Sequence, residues 1–188
     1  MIPDDLVPVD CPWEIVLGLD PGTRCAGYGS IVLAPEGPRL VACGVFRTPA
    51  GMSVPERLGK IQGELEQLLG ALRPSAVAIE SAFTGANVRS ALRLGEARGM
   101  MMATVARRAI AVHEYSPAQA KKAVLGNGAA SKQQVASMVA TLLDCDPVAA
   151  PADATDALAL ALTHVQHMRV AATRARALAR PRSNGAAG

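Results

Sequence analysis

The sequence is poor in aromatic side chains and in charges, and it has no long uncharged apolar run. Aromatic residues make up 3% of its 188 residues and charged residues 19%, while 50% are hydrophobic. Because 36 residues are alanine, the core must be built from small aliphatic side chains. Disordered chains have few apolar residues and many charges, so whole-chain disorder is excluded. The lack of about 18 consecutive uncharged apolar residues argues against a membrane span.

Cysteine is also scarce, and its spacing disfavours two kinds of site. The four cysteines form no C-x-x-C pair and have no matching histidine pair: Cys11, Cys25, Cys43 and Cys145. This spacing argues against a secreted disulfide framework and against a structural zinc site. The first ten residues, MIPDDLVPVD, lack the basic start and apolar run of a signal peptide. Together these features predict a cytoplasmic protein.

The net charge of +3 is distributed unevenly along the chain. Residues 1–14 carry four acids and no base, whereas residues 169–188 carry five arginines and no acid. From this pattern and the length we predict a flexible acidic leader over residues 1–13 and a single domain over 14–170. We predict a basic, disordered tail over 171–188.

Hydrophobic periodicity and turn signals divide the domain into five strands and five helices. The predicted strands are residues 15–20, 27–33, 40–47, 76–80 and 110–114. The predicted helices are residues 54–72, 87–108, 117 to the glycine break at 126, 131–143 and 153 to about 169. Short links between the first three strands indicate an antiparallel meander, and the later crossovers indicate parallel strands. The order predicts an α/β fold with a mixed five-stranded sheet and helices on both faces.

Four acidic residues are predicted to meet at one edge of this sheet. Asp20 ends the first strand and Glu80 ends the fourth, at the edge where such folds bind ligands. Asp153 and Asp156 are three residues apart, so they share one face of the last helix. Converging carboxylates repel one another unless cations lie between them, and oxygen ligands suit Mg²⁺ or Mn²⁺. The set predicts a centre for two metal ions that activates water for phosphodiester cleavage.

Several short blocks of the chain follow one another in a distinctive series. They are GLDPGTR at 18–24, GYG at 27–29, AIE at 78–80 with Phe83, SALRLGEARG at 90–99, and DATDALA at 153–159 with Thr163 and His164. In order and spacing these blocks resemble the RuvC family of bacterial Holliday junction resolvases. The resemblance extends over residues 15–168 and leaves the acidic leader and the basic tail unexplained.

The resemblance implies a ribonuclease-H-like fold and a homodimer that acts in DNA recombination and repair. It implies an Mg²⁺-dependent endodeoxyribonuclease that nicks two opposing strands of a four-way DNA junction symmetrically and leaves 5′-phosphate ends. RuvA and RuvB would be its branch-migration partners. The residues that match the family's functional positions are Asp20, Glu80, Asp153 and Asp156 as catalytic, metal-binding acids, Lys121 and Lys132 as basic DNA contacts, and Phe83 as an aromatic that stacks on bases.

The sequence around the supporting residues also indicates what their roles are. Lys121 and Lys132 lie near glycine-rich breaks, where a lysine could bind a scissile phosphate, although Lys122 competes with Lys121 for that role. Phe83 lies in a predicted loop, which favours a stacking residue over a core aromatic. His164 is roughly two helical turns from Asp156, so we interpret it as structural or peripheral.

Three other classes of function compete with a junction nuclease. A YqgF-type nuclease that acts on RNA shares the G-x-D-x-G opening, but the SALRLG block argues against it. An actin-like ATPase also has a D-x-G loop, but 188 residues are too few for two such lobes. A junction-binding module without catalysis would gain nothing from four acids facing phosphate.

Overall fold

The computed structural model of the protein describes residues 12–81, 88–145 and 150–179. These residues contain five strands and five helices. The strands are β1 (Ile15–Asp20), β2 (Cys25–Ala34), β3 (Gly37–Arg47), β4 (Ala76–Glu80) and β5 (Ala111–Tyr115). The helices are α1 (Val54–Leu72), α2 (Val88–Ala106), α3 (Pro117–Leu125), α4 (Lys132–Leu143) and α5 (Ala152–Ala179).

All five strands form one sheet in the order β3-β2-β1-β4-β5. The β1-β2 and β2-β3 pairs are antiparallel, and the β1-β4 and β4-β5 pairs are parallel. The predicted mixed five-stranded sheet is therefore confirmed, including its antiparallel meander. Because β1 and β4 are parallel neighbours, their carboxyl ends lie side by side at one edge of the sheet.

The sheet has a hydrophobic core on each face, because successive strand residues point to opposite sides. On one face, Leu17 and Leu19 pack with buried residues of α1 and α2, among them Leu65 and Met101. On the other face, Val16 packs with buried residues of α3, α4 and α5. The prediction of helices on both faces is confirmed.

Capping boxes fix where α3 and α4 begin. The Ser116 hydroxyl accepts a hydrogen bond from the Gln119 backbone N–H at 3.2 Å, and the Gln119 side chain accepts one from the Ser116 N–H at 2.8 Å. Ser131 and Gln134 repeat this arrangement at the start of α4, with distances of 3.2 and 2.9 Å. Each box satisfies backbone donors that the first helical turn leaves unpaired.

The last helix is longer than predicted. Helix α5 continues to Ala179 and has 28 residues, so the predicted end near Arg169 is wrong. The boundary drawn at residue 170 falls inside the helix, and residues 171–179 are helical rather than disordered. No proline or glycine occurs between Asp153 and Ala179, and the segment is rich in alanine, arginine and leucine, which are strong helix formers. The apolar periodicity ended earlier because residues 169–178 are exposed and face no core.

Helix α5 lies directly against the backbone of β1 and β2. A Cβ atom at Gly18 would lie 1.8 Å from the carbonyl oxygen of Ala157, and one at Gly27 would lie 2.0 Å from that of Asp153. Only residues without side chains permit this approach. The two glycines therefore set the position of the helix that carries Asp153 and Asp156. Within the described residues, no helix, α5 included, is long and apolar enough to cross a membrane.

Candidate active site

Asp20 and Glu80 lie side by side where β1 and β4 end. Leu19 pairs with Ile79 in the parallel ladder, which makes the next residue of each strand a neighbour of the other. Both side chains are half-buried, and their carboxyl groups form a hydrogen bond. The structure thus brings together the two acids that the sequence placed at strand ends.

Burial and crowding disturb the ionisation of this pair. The pKa of Asp20 is raised to about 8, chiefly by burial, then by the charge of Glu80 and the hydrogen bond to it, and then by the charges of Asp156 and Asp153. Burial also raises the pKa of Glu80, which Asp156 reinforces. Near neutral pH and without a cation, a proton shared by the two carboxyls relieves their repulsion. The arrangement favours any cation that could replace that proton.

Helix α5 brings the two other acids to the same edge. Asp156 is half-buried, and its Oδ2 lies 2.6 Å from Nζ of Lys132, the first residue of α4. This hydrogen bond raises the pKa of Lys132, and the negative charges of Asp156, Asp20 and Asp153 add to the effect. Lys132 is therefore a cation held at the acidic edge, and its role in catalysis stays a prediction.

Cys25 contacts the fourth acid and was not foreseen in the sequence. Burial raises the pKa of its thiol to about 11, followed by a hydrogen bond to the Asp153 carboxylate and by the charge of that group. The thiol therefore stays protonated and donates to Asp153. Cys25 begins β2 directly opposite the start of α5, a proximity that only the close contact at Gly27 creates.

Arg98 is a second residue that the sequence reasoning missed. Its Nε donates a hydrogen bond to the backbone carbonyl of Glu80 at 3.1 Å, and its Nη2 contacts the Glu114 carboxylate. Arg98 thus ties helix α2 to the ends of β4 and β5. Arg98 belongs to the SALRLGEARG block, but the sequence does not indicate which residue it contacts.

The structure gives less information about the two remaining predicted site residues. Lys121 is half-buried on α3 and makes no hydrogen bond or ion pair with any residue that the structure describes. The predicted stacking residue, Phe83, lies outside the described residues. Their roles at the site stay predictions.

His164 belongs to the interior, in agreement with its interpretation as structural. It is 5% exposed, and its Nδ1 lies 2.9 Å from the Tyr115 hydroxyl. Its ring stacks on His113 with 4.1 Å between centroids. The pKa of His164 is lowered to about 4, chiefly by burial and then by the nearby His113 and His167.

The chemistry of the donor set fits a hard divalent cation. Four carboxylates share one edge, two of them have raised pKa values, and one already has a lysine ammonium as its counterion. Carboxylate oxygens are the ligands that Mg²⁺ and Mn²⁺ prefer. Across the part of the chain that the structure describes, no three acidic, histidine or cysteine side chains form a ready-made metal-binding group.

The sheet order and the positions of the acids together define a class of protein. A β3-β2-β1-β4-β5 sheet, with acids where β1 and β4 end and on a helix packed across β1, is the arrangement of ribonuclease-H-like nucleases. The family model described as "Crossover junction endodeoxyribonuclease RuvC" matches residues 16–164. The chain belongs to this RuvC family, whose members are metal-dependent nucleases.

Individual relatives agree with the family model. The chain is 47% identical over 147 residues to crossover junction endodeoxyribonuclease RuvC of Chlorobaculum parvum, covering 78% of this chain and 79% of that protein. It is 44% identical over 148 residues to the RuvC of Heliobacterium modesticaldum, covering 79% and 91%. Among solved structures, T. thermophilus RuvC in complex with Holliday junction substrate is similar with a TM-score of 0.78 and 33% identity, covering 84% of this chain and 96% of that chain.

Proposed function

We propose that the protein is an Mg²⁺-dependent endodeoxyribonuclease that resolves four-way DNA junctions in recombination and repair. The observation that carries this proposal is the Asp20–Glu80 carboxyl pair, which faces the Lys132–Asp156 ion pair at one edge of the sheet. Membership of the RuvC family supports the choice of substrate. The solved RuvC of T. thermophilus, which is similar in fold, is described in complex with a Holliday junction.

The four acids have distinct environments and would share the binding of metal. Asp20 and Glu80 are fixed by the ends of β1 and β4, whereas Asp153 and Asp156 are fixed by the contact of α5 with the sheet. Two Mg²⁺ ions held by these carboxylates would supply an activated water and stabilise the leaving oxygen, giving 5′-phosphate ends. Mn²⁺ has similar ligand preferences and should substitute.

Lys132 is the side chain best placed to act on the scissile phosphate. Its ammonium is held against Asp156 while the side chain remains 74% exposed, so it can turn toward a bound strand. Once cations neutralise Asp156, the ammonium becomes available to stabilise charge that develops on the phosphate. We assign a similar supporting role to Lys121 and a base-stacking role to Phe83 at the junction.

We further propose that the protein acts as a homodimer and delivers one nick from each subunit. Val88 is 76% exposed and Leu92 is 63% exposed, and their spacing of four residues places them on one face of α2. Two copies packed through this face would bury apolar side chains that otherwise contact water. Such a dimer would nick the junction symmetrically and would act together with RuvA and RuvB.

A substrate panel tests the proposed function. The purified protein is incubated with a synthetic four-way junction, a linear duplex and an RNA hairpin, each with Mg²⁺ and with EDTA. We expect paired nicks in the junction with Mg²⁺ only, and sedimentation as a dimer at micromolar concentration. Cleavage of the RNA hairpin in preference to the junction would instead support the RNA nuclease alternative.

A further inference from the structure

A cleft rich in arginine lies beside the acidic edge. It has a volume of about 630 Å³ and lies between the turn after β1, the first turn of α1 and the first turns of α2. The residues that line it include Gly22, Thr23, Arg24, Arg57, Arg89 and Arg93. Four arginines from three separate elements thus line one depression.

The charge of this cleft is only partly neutralised. Arg93 makes an ion pair with Glu96, with 2.9 Å between Nη1 and Oε2. Within the described residues, Arg24, Arg57 and Arg89 make no ion pair, and no acidic residue lines the cleft. Like charges that line one cleft repel one another, so the fold alone does not explain why four arginines share it. An anion bound between them would remove the repulsion.

Arg57 gives a second and independent indication of a ligand. Its Nε is a buried donor with no hydrogen-bond partner among the described residues. Buried polar atoms are normally satisfied, and one left unsatisfied requires an explanation. A phosphate oxygen in the cleft would accept from this N–H. The side chain is therefore arranged for a partner from outside the chain.

One wall of the cleft is held firmly in place. The Thr48 hydroxyl donates to the carbonyl of Thr23 at 3.1 Å, and the Thr48 N–H donates to the carbonyl of Arg24 at 3.1 Å. A Cβ atom at Gly22 would lie 2.0 Å from the carbonyl of Cys25, so the turn depends on glycine there. The turn that presents Arg24 is therefore built into the fold.

The cleft is close to the reaction centre along the chain. Arg24 follows Asp20 by four residues, so their Cα atoms are at most about 14 Å apart. One DNA strand advances about 3.4 Å for each nucleotide, so this span corresponds to roughly four nucleotides. A strand whose phosphate lies at the acids would then pass the cleft within a few nucleotides of the cut.

We propose that this arginine cleft binds backbone phosphates of the junction DNA within about four nucleotides of the cleaved bond. The inference rests on the proposed function and adds to it a phosphate-binding subsite that contains none of the catalytic acids. Arg57 and Arg89 donate to phosphate oxygens, and Arg24 closes the side next to the acids. The subsite holds the strand in register, so its loss weakens binding of the junction and leaves the chemical step intact.

Junction binding as a function of salt tests this subsite. The variants Arg57→Gln and Arg89→Gln, singly and together, are made in a chain that also carries Asp20→Asn, which we expect to prevent cleavage. Arg39→Gln is the matched control, because Arg39 is an exposed arginine at the β2-β3 turn, remote from Asp20 along the strands. The dissociation constant for a four-way junction is measured from 50 to 200 mM KCl, and melting temperatures check folding.

We expect each cleft substitution to raise the dissociation constant about fivefold near 100 mM salt and to reduce the slope of log K against log salt by about 0.9. Arg39→Gln should change neither quantity. In the cleavage-competent chain, the turnover number at saturating junction should stay within about twofold of the parent. Replacing single phosphates near the cut with neutral methylphosphonates should weaken the parent but not the double variant.

The outcomes separate the cleft from the proposed function. If the parent binds the junction well and the double variant has the same affinity and salt slope as Arg39→Gln, the cleft inference is wrong and the proposed function is unaffected. A parent that binds the junction no better than a linear duplex overturns both. Should Arg57→Gln fold poorly, the exposed Arg89→Gln variant gives the same test alone.

Discussion

The ammonium of Lys132 lies 2.6 Å from the Asp156 carboxylate and joins the start of α4 to the first turns of α5. It neutralises one of the four acids. Its pKa is raised, chiefly by the hydrogen bond to Asp156, so the lysine stays charged throughout the physiological range. This contact places a cation at the acidic edge where we propose that the chemistry takes place.

Replacement of Lys132 should impair the chemical step more than binding. For Lys132→Met we expect the turnover number to fall by roughly 100-fold, because a positioned charge at the developing phosphate charge is lost. Junction affinity should fall by less than about threefold, because the ion pair of Lys132 with Asp156 offsets part of any contact with phosphate. Single-turnover cleavage and equilibrium binding separate the two effects. Lys60→Met, on the exposed side of α1, is the control; equal losses in both variants would remove Lys132 from the site.

Arg98 should affect metal use through Glu80. Because it holds the Glu80 carbonyl at 3.1 Å, Arg98→Met should loosen the end of β4 and misplace that carboxylate. We expect turnover to fall by roughly tenfold and the Mg²⁺ concentration for half-maximal cleavage to rise, because a residue that positions a metal ligand has been removed. Arg98→Lys should recover part of the loss. Arg107→Met, at an exposed position beyond the end of α2, controls for general destabilisation. An unchanged Mg²⁺ requirement would leave Arg98 with a purely structural role.

The close approach of α5 to the sheet should be sensitive to a single methyl group. Gly27→Ala would place its Cβ about 2.0 Å from the Asp153 carbonyl, so the helix or the strand must shift. We expect the free energy of unfolding in urea to fall by about 3 kcal/mol and cleavage to be lost, since overpacking strains a filled interface. Gly59→Ala lies on α1 with open space around its position and should raise stability by up to about 1 kcal/mol. Similar effects at the two glycines would show that α5 does not depend on this contact.

His164 should make stability depend on pH. Its pKa is lowered to about 4 in the folded chain, whereas an unfolded histidine has a pKa of 6.5. The unfolded state therefore binds the proton first, and stability falls as the pH drops from about 6.5 to about 4. The full effect is at most about 3 kcal/mol.

The variant His164→Gln isolates this contribution. Asp20 and Glu80 also make stability depend on pH, but their raised pKa values act in the opposite direction and favour the folded state as the pH falls. The difference in free energy of unfolding between the wild type and the variant should shrink from pH 7 to pH 4. A constant difference would mean that His164 is protonated as easily in the folded as in the unfolded chain.

The sequence was sufficient for those parts of the fold that local patterns determine. The bounds of α1 and β4 were predicted to the residue, because a capping serine, regular leucine spacing and a proline limit them. The acids at the ends of β1 and β4 could be paired in advance, since parallel neighbours end at the same edge. The extension of α5 was missed because its exposed residues have no periodic apolar face.

Contacts that depend on packing could not be predicted. Cys25 reaches Asp153 only because Gly27 admits α5 to the sheet, and Arg98 reaches Glu80 across the packing of α2 on β4 and β5. No local sequence pattern indicates either of these two contacts. The ion pair of Lys132 with Asp156 spans 24 residues, and the sequence indicated only that both groups belonged to the site.

The most direct test of the proposed function compares Asp20→Asn with Asp144→Asn on a four-way junction with Mg²⁺. Asp144 is an exposed acid with a left-handed backbone at the end of α4, a conformation that asparagine also adopts, so it matches the chemical change at a position outside the acidic edge. We predict that Asp20→Asn cleaves at least about 1,000-fold more slowly while binding the junction within about threefold of the wild type, and that Asp144→Asn behaves as the wild type. Junction cleavage by Asp20→Asn at the wild-type rate would contradict the assignment of this acidic edge as the catalytic centre.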